Sequence, residues 1–179
     1  VATVSQMTVS IRLATPADAA MLPDIERSAG EIFREISGLE WIADDHVMTA
    51  DQHLPAIFAG SVWVACEDGA LVGFLSAELA SDALHIREVS VHAAVMGRGI
   101  GRQLIETAAM AAHISGLSVL TLTTFRDVPW NAPYYQRLGF EILAEADLDS
   151  RLASILADEV AAGLPGDRRC AMRQNLALP

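Results

Sequence analysis

The stretch 85–104, HIREVSVHAAVMGRGIGRQL, decides how this chain is read. Residues 84–91 predict a strand, because apolar side chains dominate and Val89 and Val91 are β-branched. Residues 99–115 predict a helix: Ile100, Leu104, Ile105, Ala108, Ala112 and Ile114 recur at near-helical spacing, and Gly116 supplies the stop. Between the two lie Gly97, Gly99 and Gly101. Glycines there let backbone approach a ligand with no Cβ in the way, and the amides of a helix N-terminus point outward as an anion site. Arg98 and Arg102 add positive charge, so the expected guest is a phosphate.

A strand, a glycine run and a helix leave three readings open. A tight strand-to-helix turn needs glycine for geometry alone. A dinucleotide fold asks for GxGxxG opening a βαβ unit near the start of a domain, with an acidic residue about 20 positions on, and neither condition is met. A Walker A loop needs Gly-Lys-Ser or Gly-Lys-Thr, which the chain lacks.

Composition narrows the partners. With 179 residues, 52% of them hydrophobic, the chain can bury a substantial core as one soluble domain over residues 7–179. Met7 reads as the natural start, with residues 1–6 a disordered leader or expression remnant. Twelve basic residues against 23 acidic ones give a net charge of −11. Such a surface disfavours nucleic acid or an anionic membrane as the main partner and suits a cationic small molecule. Cys66 and Cys170 sit on predicted strands without Cys or His neighbours at metal-ligand spacing, so both are read as reduced core residues and no metal is expected. No long apolar span or basic-then-apolar leader occurs, which makes a cytoplasmic protein the expectation.

Elsewhere the chain alternates strands and helices. Residues 9–13 predict a first strand, followed by Thr15-Pro16-Ala17-Asp18, a capping-box start to a helix that Pro23 is expected to kink. Residues 33–48 are irregular, and a second helix is expected over 51–58. Residues 62–67 and 71–78 flank Asp68-Gly69 as a hairpin, with Ser81-Asp82 the next turn. Residues 119–125 predict a strand parallel to 84–91 through the helical crossover. A short helix over 132–138, a strand over 140–143, a helix over 149–162 and a closing strand over 169–176 complete the series.

Met96-Gly97-Arg98-Gly99-Ile100-Gly101 resembles the acyl-CoA-binding segment of the GCN5-related N-acetyltransferase (GNAT) family: Arg or Gln, two residues, Gly, one residue, then Gly or Ala. Met96 departs from it, standing where the family has Arg or Gln. A second segment, Tyr135-Gln136-Arg137-Leu138-Gly139-Phe140, is similar to that family's Tyr-x-x-Leu-Gly-Phe. The resemblance implies an α/β fold with a mixed, mostly antiparallel twisted sheet, splayed at its centre, with helices on both faces. It further implies acetyl-CoA as cosubstrate, gripped by Met96, Gly97, Arg98, Gly99, Ile100, Gly101 and Arg102. A backbone amide within Val89, Ser90 and Val91 would serve the carbonyl oxygen, Asn131 would touch CoA, and Tyr135 would protonate the departing thiolate.

Acetyl transfer to an amine also needs a base, since an alkylamine with a pKa of about 10.4 is protonated at neutral pH. On a regular strand His85 and Glu88 face opposite ways. His85 falls where the family has a catalytic Glu or His, and residues 84–92 with 133–140 are locally similar to arylalkylamine N-acetyltransferases, although Arg87 replaces the second of their paired histidines. Glu88 is the alternative base, or a holder of a cationic substrate. Trp41, among Glu40, Asp44 and Asp45, is a candidate for receiving an amine through cation–π contact. The implied activity is acetylation of a small-molecule primary amine. A protein N-terminus or lysine as acceptor is a second reading, and a CoA-binding module without turnover a third. A homodimer through the closing strand is expected by analogy alone.

Overall fold

The structure, a computed structural model, describes residues 8–176. The readings of residues 1–6 and of Met7 as a start lie outside them. Seven strands form one sheet: β1 (Val9–Leu13), β2 (Val62–Glu67), β3 (Ala70–Ala80), β4 (Ala83–Val91), β5 (Val119–Phe125), β6 (Glu141–Ile142) and β7 (Arg169–Asn175). Five α-helices accompany them: α1 (Leu22–Gly30), α2 (Ala50–Phe58), α3 (Ile100–Ile114), α4 (Ala132–Arg137) and α5 (Ser150–Ala161). The strand order is β1-β2-β3-β4-β5-β7-β6. Pairing is antiparallel for β1 with β2, β2 with β3, β5 with β7 and β6 with β7. β4 and β5 run parallel, through a ladder of Ala83–Ile86 on Val119–Leu122 that leaves the last five residues of β4 beyond it. The sheet is mixed and mostly antiparallel, as expected.

Local chemistry accounts for the joints. Asp68 and Gly69 both have positive φ, 49° and 83°, the handedness that a two-residue hairpin between twisted strands requires. Thr49 and Gln52 form a capping box at the start of α2: Gln52 Oε1 accepts from the Thr49 amide at 2.8 Å and Thr49 Oγ1 from the Gln52 amide at 3.4 Å. Asp149 caps α5 by accepting from the Leu152 amide at 2.7 Å. Asp18 Oδ2 accepts from the Thr15 amide at 2.7 Å, as the capping-box reading expected, but the turn it starts, Pro16–Met21, is a 3-10 helix. Pro23 opens α1 instead of kinking a longer helix, because the first helical turn needs no amide donor there.

The chain divides into two compact units, the described residues up to Ala77 with Glu88–Ala108, and Glu78–Arg87 with the described residues from Ala109 onward. In the first, Leu22 and Ile25 of α1, Ile57 of α2, Val62 and Val64 of β2 and Phe74 of β3 make one buried cluster. In the second, Leu120 and Leu122 of β5, Ala171 and Met172 of β7, Phe140 and Leu152 are buried. Cys170 is buried, Cys66 half-buried, and both are free thiols.

Candidate active site

The glycine segment has the geometry its sequence implied. Gly97 and Gly99 adopt φ of 76° and 80°, in the left-handed region that disfavours a side chain, and a Cβ at either would meet no heavy atom within 4 Å. At those two positions the loop therefore offers open backbone with no side chain in the way. It leads into a helix whose first anchored amide in the turn is that of Gln103, donating to the Gly99 carbonyl at 3.1 Å. Amides ahead of it, at Ile100 and Gly101, have no acceptor within the helix. The loop entry is tied down from two sides: the His92 amide donates to the Val72 carbonyl at 2.8 Å and the Ala93 amide to Ser28 Oγ of α1 at 3.1 Å.

The flanking arginines differ. Arg98 makes a two-pronged bond to Glu67, Nη1 to Oε2 at 3.1 Å and Nη2 to Oε1, and Glu67 is buried. Arg102 pairs with Glu106 on the surface of α3 at 2.7 Å, with both side chains more than half exposed. An exposed pair yields readily to a phosphate, whereas a pair on a buried carboxylate does not. The loop's anion affinity thus rests on its backbone and on Arg102. Met96, half-buried, donates its amide to the Ala93 carbonyl at 3.3 Å.

Glu88 and Ser90, two apart on β4, share a face, and Ser90 Oγ donates to Glu88 Oε1 at 2.6 Å. Val89 and Val91 flank them, half-buried. The structure brings Glu26 near Glu88 and His53 near Glu26, two residues that the sequence reading missed. Glu26 of α1 is largely enclosed, and burial first, then the charge of Glu88, push its carboxyl up to about 8; the Met48 amide and Arg27 pull the other way. His53 of α2 is fully buried, edge-on to Phe74 with ring centroids 5.4 Å apart, and burial lowers its pKa. Glu26 Oε2 stands 3.9 Å from His53 Nε2. Both residues sit four positions from a core residue of their own helix, Leu22 and Ile57. That periodicity, a polar side chain where an apolar stripe calls for a hydrophobe, was the available signal.

The second unit holds His85, Asn131 and Tyr135. His85 is buried, with Nδ1 2.9 Å from Thr121 Oγ1, and Arg151 Nη2 donates to the same hydroxyl at 3.2 Å. Burial, followed by the Arg151 charge, holds the imidazole down at about 4. At neutral pH it is uncharged and a weak proton acceptor. Tyr135 lies in α4, half-buried, edge-on to Phe140 and Tyr134 with centroids 5.6 and 5.5 Å away. Asn131 precedes α4, and its carbonyl accepts from the Tyr135 amide at 3.0 Å, so the two positions move together. Trp41 stands exposed on the 3-10 turn Glu40–Asp44. The end of that turn is fixed by Arg34, which bridges Glu31 and Asp44.

Among the described residues no group of three or more His, Cys, Asp or Glu could hold a metal ion. No helix among them is long and apolar enough to cross a membrane.

A parallel β4–β5 pair in a mostly antiparallel sheet, with a loop carrying two left-handed glycines between β4 and α3, is the arrangement of an acyl-CoA N-acyltransferase fold. Residues 59–142 match the acetyltransferase (GNAT) domain. Solved structures agree on the fold. The PaiA N-acetyltransferase of Thermoplasma acidophilum, in complex with coenzyme A, is 17% identical with a TM-score of 0.70, covering 94% of this chain and 99% of that one. The yncA protein of Salmonella typhimurium, with acetyl-CoA, is 20% identical at 0.66 and 96% of each chain. N-acetylglutamate synthase of Neisseria gonorrhoeae, with coenzyme A and N-acetyl-glutamate, is 19% identical at 0.68; it covers 97% of this chain, which spans only 36% of that protein.

Proposed function

We propose that this protein transfers the acetyl group of acetyl-CoA to a primary amine of a small molecule. The observation that carries the reading is the loop at Gly97 and Gly99, left-handed, open on its Cβ side and leading into a 15-residue helix. Bound there, acetyl-CoA supplies an activated acetyl thioester. Backbone amides of Gly97, Gly99, Ile100 and Gly101 receive its pyrophosphate, aided by Arg102. Met96 and Arg98 contribute backbone, the Arg98 side chain being engaged by Glu67. Asn131 completes the CoA contacts by analogy with the family.

The amine must lose a proton, and Glu88 is assigned that role over His85, whose imidazole is buried with Nδ1 against the Thr121 hydroxyl that Arg151 also engages. The amine nitrogen bonds to the acetyl carbon as the carbon–sulfur bond breaks. A backbone amide in Val89–Val91 stabilises the charge developing on the carbonyl oxygen, and Tyr135 gives its phenolic proton to the leaving sulfur. Trp41 offers an exposed aromatic face, and Glu88 a carboxylate, to a cationic acceptor. A net charge of −11 favours such an acceptor over nucleic acid or an anionic membrane as partner. Free Cys66 and Cys170 suit a cytoplasmic enzyme. A homodimer is retained as part of this reading, to be checked by sedimentation.

The test is CoA release from acetyl-CoA over a panel of small amines, amino acids and peptides, with thermal shift on acetyl-CoA alongside. Turnover on a small amine, lost in Tyr135→Phe while acetyl-CoA still stabilises the chain, is the expected result. Turnover on peptides alone would move the acceptor to a protein. Stabilisation without turnover would mean a CoA-binding module, and no stabilisation would sink the reading.

A further inference from the structure

Tyr135, assigned above to the departing sulfur, sits on a helix too short to hold itself in place. α4 has six residues, and a helix of that length is stable only through what it packs against. Its C-terminal turn is built onto Tyr135. The Leu138 and Phe140 amides both donate to the Tyr135 carbonyl, at 2.9 and 3.1 Å, and the Phe140 ring stands edge-on to the Tyr135 ring at 5.6 Å. The main chain pairs with β7 from Glu141 onward. Ahead of that, a side chain of β7 makes the tie: Gln174 Nε2 donates to the Leu138 carbonyl at 2.7 Å, at the helix C-cap, where carbonyls have no partner within the helix. Gly139 has a φ of 93°, and a Cβ there would stand 3.2 Å from the same nitrogen. Glycine thus serves this turn by its handedness and by letting the Gln174 amide approach.

Gln174 breaks the pattern of its own face. It lies opposite Leu120, with Met172 and Leu122 next along the same side of the sheet, and all three of these are buried and apolar. Its Oε1 is enclosed with no hydrogen-bond partner among the described residues. An acceptor buried unpaired costs stability, and an apolar side chain of similar shape avoids that cost. What the Gln174 donor holds, rather than what the residue adds to the core, accounts for its presence.

We propose that Gln174 is a positioning residue that fixes the turn Leu138-Gly139-Phe140, and through it the Tyr135 phenol, for proton transfer to the leaving sulfur. The holding of the turn stands by itself. The consequence for proton transfer rests on the acetyl-transfer reading above.

Amide hydrogen exchange of the full chain without ligands, followed by NMR residue by residue, tests the first half. Gln174→Met keeps the length of the side chain and removes its donor. Exchange at Leu138, Gly139 and Phe140 should quicken about tenfold, the worth of one hydrogen bond, while the amides of β5 and the urea midpoint stay at their wild-type values. Unchanged exchange at all three amides overturns the proposal, and so does a quickening spread evenly over β5, β7 and α4, which would mean lost stability alone. Should Gln174→Met not fold, Gln174→Asn, one methylene too short to reach the carbonyl, carries the same test. For the second half, Gln174→Met should lower kcat on the best amine of the panel about tenfold, with KM for the amine and the thermal shift on acetyl-CoA unchanged. An unchanged kcat, or a loss that falls on KM or on acetyl-CoA binding instead, refutes the route through Tyr135. If no amine is turned over while the three amides behave as expected, the holding of the turn stands and the acetyl-transfer reading is what has failed.

Discussion

Replacing Glu26 with Gln should make the protein's stability less sensitive to pH, in a direction that linkage fixes. The folded carboxyl keeps its proton up to about pH 8, whereas its ordinary value is 4.5. Between those values the folded chain holds one proton more than the unfolded one. The stability contributed by Glu26 is therefore fully present below pH 4.5 and is lost as pH rises toward 8. One proton corresponds to about 1.4 kcal/mol per pH unit. From pH 5.5 to 7.5 the limiting loss is about 3 kcal/mol. The side chain retains 20% of its exposure, and solvent screening brings the expected figure to about 1–2 kcal/mol. Gln keeps the shape and removes the titration, so Glu26→Gln should gain that amount on wild type across the span, whatever its stability at pH 5.5. Urea unfolding of both proteins at pH 5.5, 6.5 and 7.5 and one ionic strength measures it, and titrations remote from Glu26 cancel in the difference. Parallel stability profiles would refute the reasoning, because they would mean that folding leaves the Glu26 proton where it was.

Arg98→Ala should cost about 2–3 kcal/mol in urea unfolding by leaving buried Glu67 unpaired, whereas Arg102→Ala should change stability by only a few tenths while reducing the thermal shift on acetyl-CoA; the reverse pattern would reassign the two arginines. Gly99→Ala should cost about 1 kcal/mol for its left-handed backbone alone and should diminish acetyl-CoA binding, measured by calorimetry, by more than the fold loses. Asp18→Asn should destabilise the chain by about 2 kcal/mol at pH 7, because an amide keeps one of the two oxygens that accept from Arg12 and Thr15, turns the other into a donor and removes the charge that faces Arg12. Those bonds hold the Asp18 carboxyl well below its usual range, so that contribution is present above pH 3.8 and the gap from wild type should close as pH falls below it.

What the sequence determined by itself was local. Period-two alternation and β-branching marked β2, β3, β4 and β5; Asp68-Gly69 marked a hairpin; the spaced glycines marked the loop before α3; and Tyr135 stood at a fixed distance from Leu138-Gly139-Phe140. Each of these is set by the conformational preference of a few adjacent residues, which is why it survives in one dimension. Tertiary structure decided partners and charge states. Periodicity says which face a side chain takes but not what waits there, so His85 could be read as a base until Thr121, 36 positions away, and Arg151 enclosed it. Arg98 looked available for phosphate until Glu67, 31 positions back, took its fork. Glu26, His53 and Glu88 come from two helices and a strand, and no spacing in the chain links them. A pKa is a property of the medium and charges around a group, and those exist only once the chain has folded.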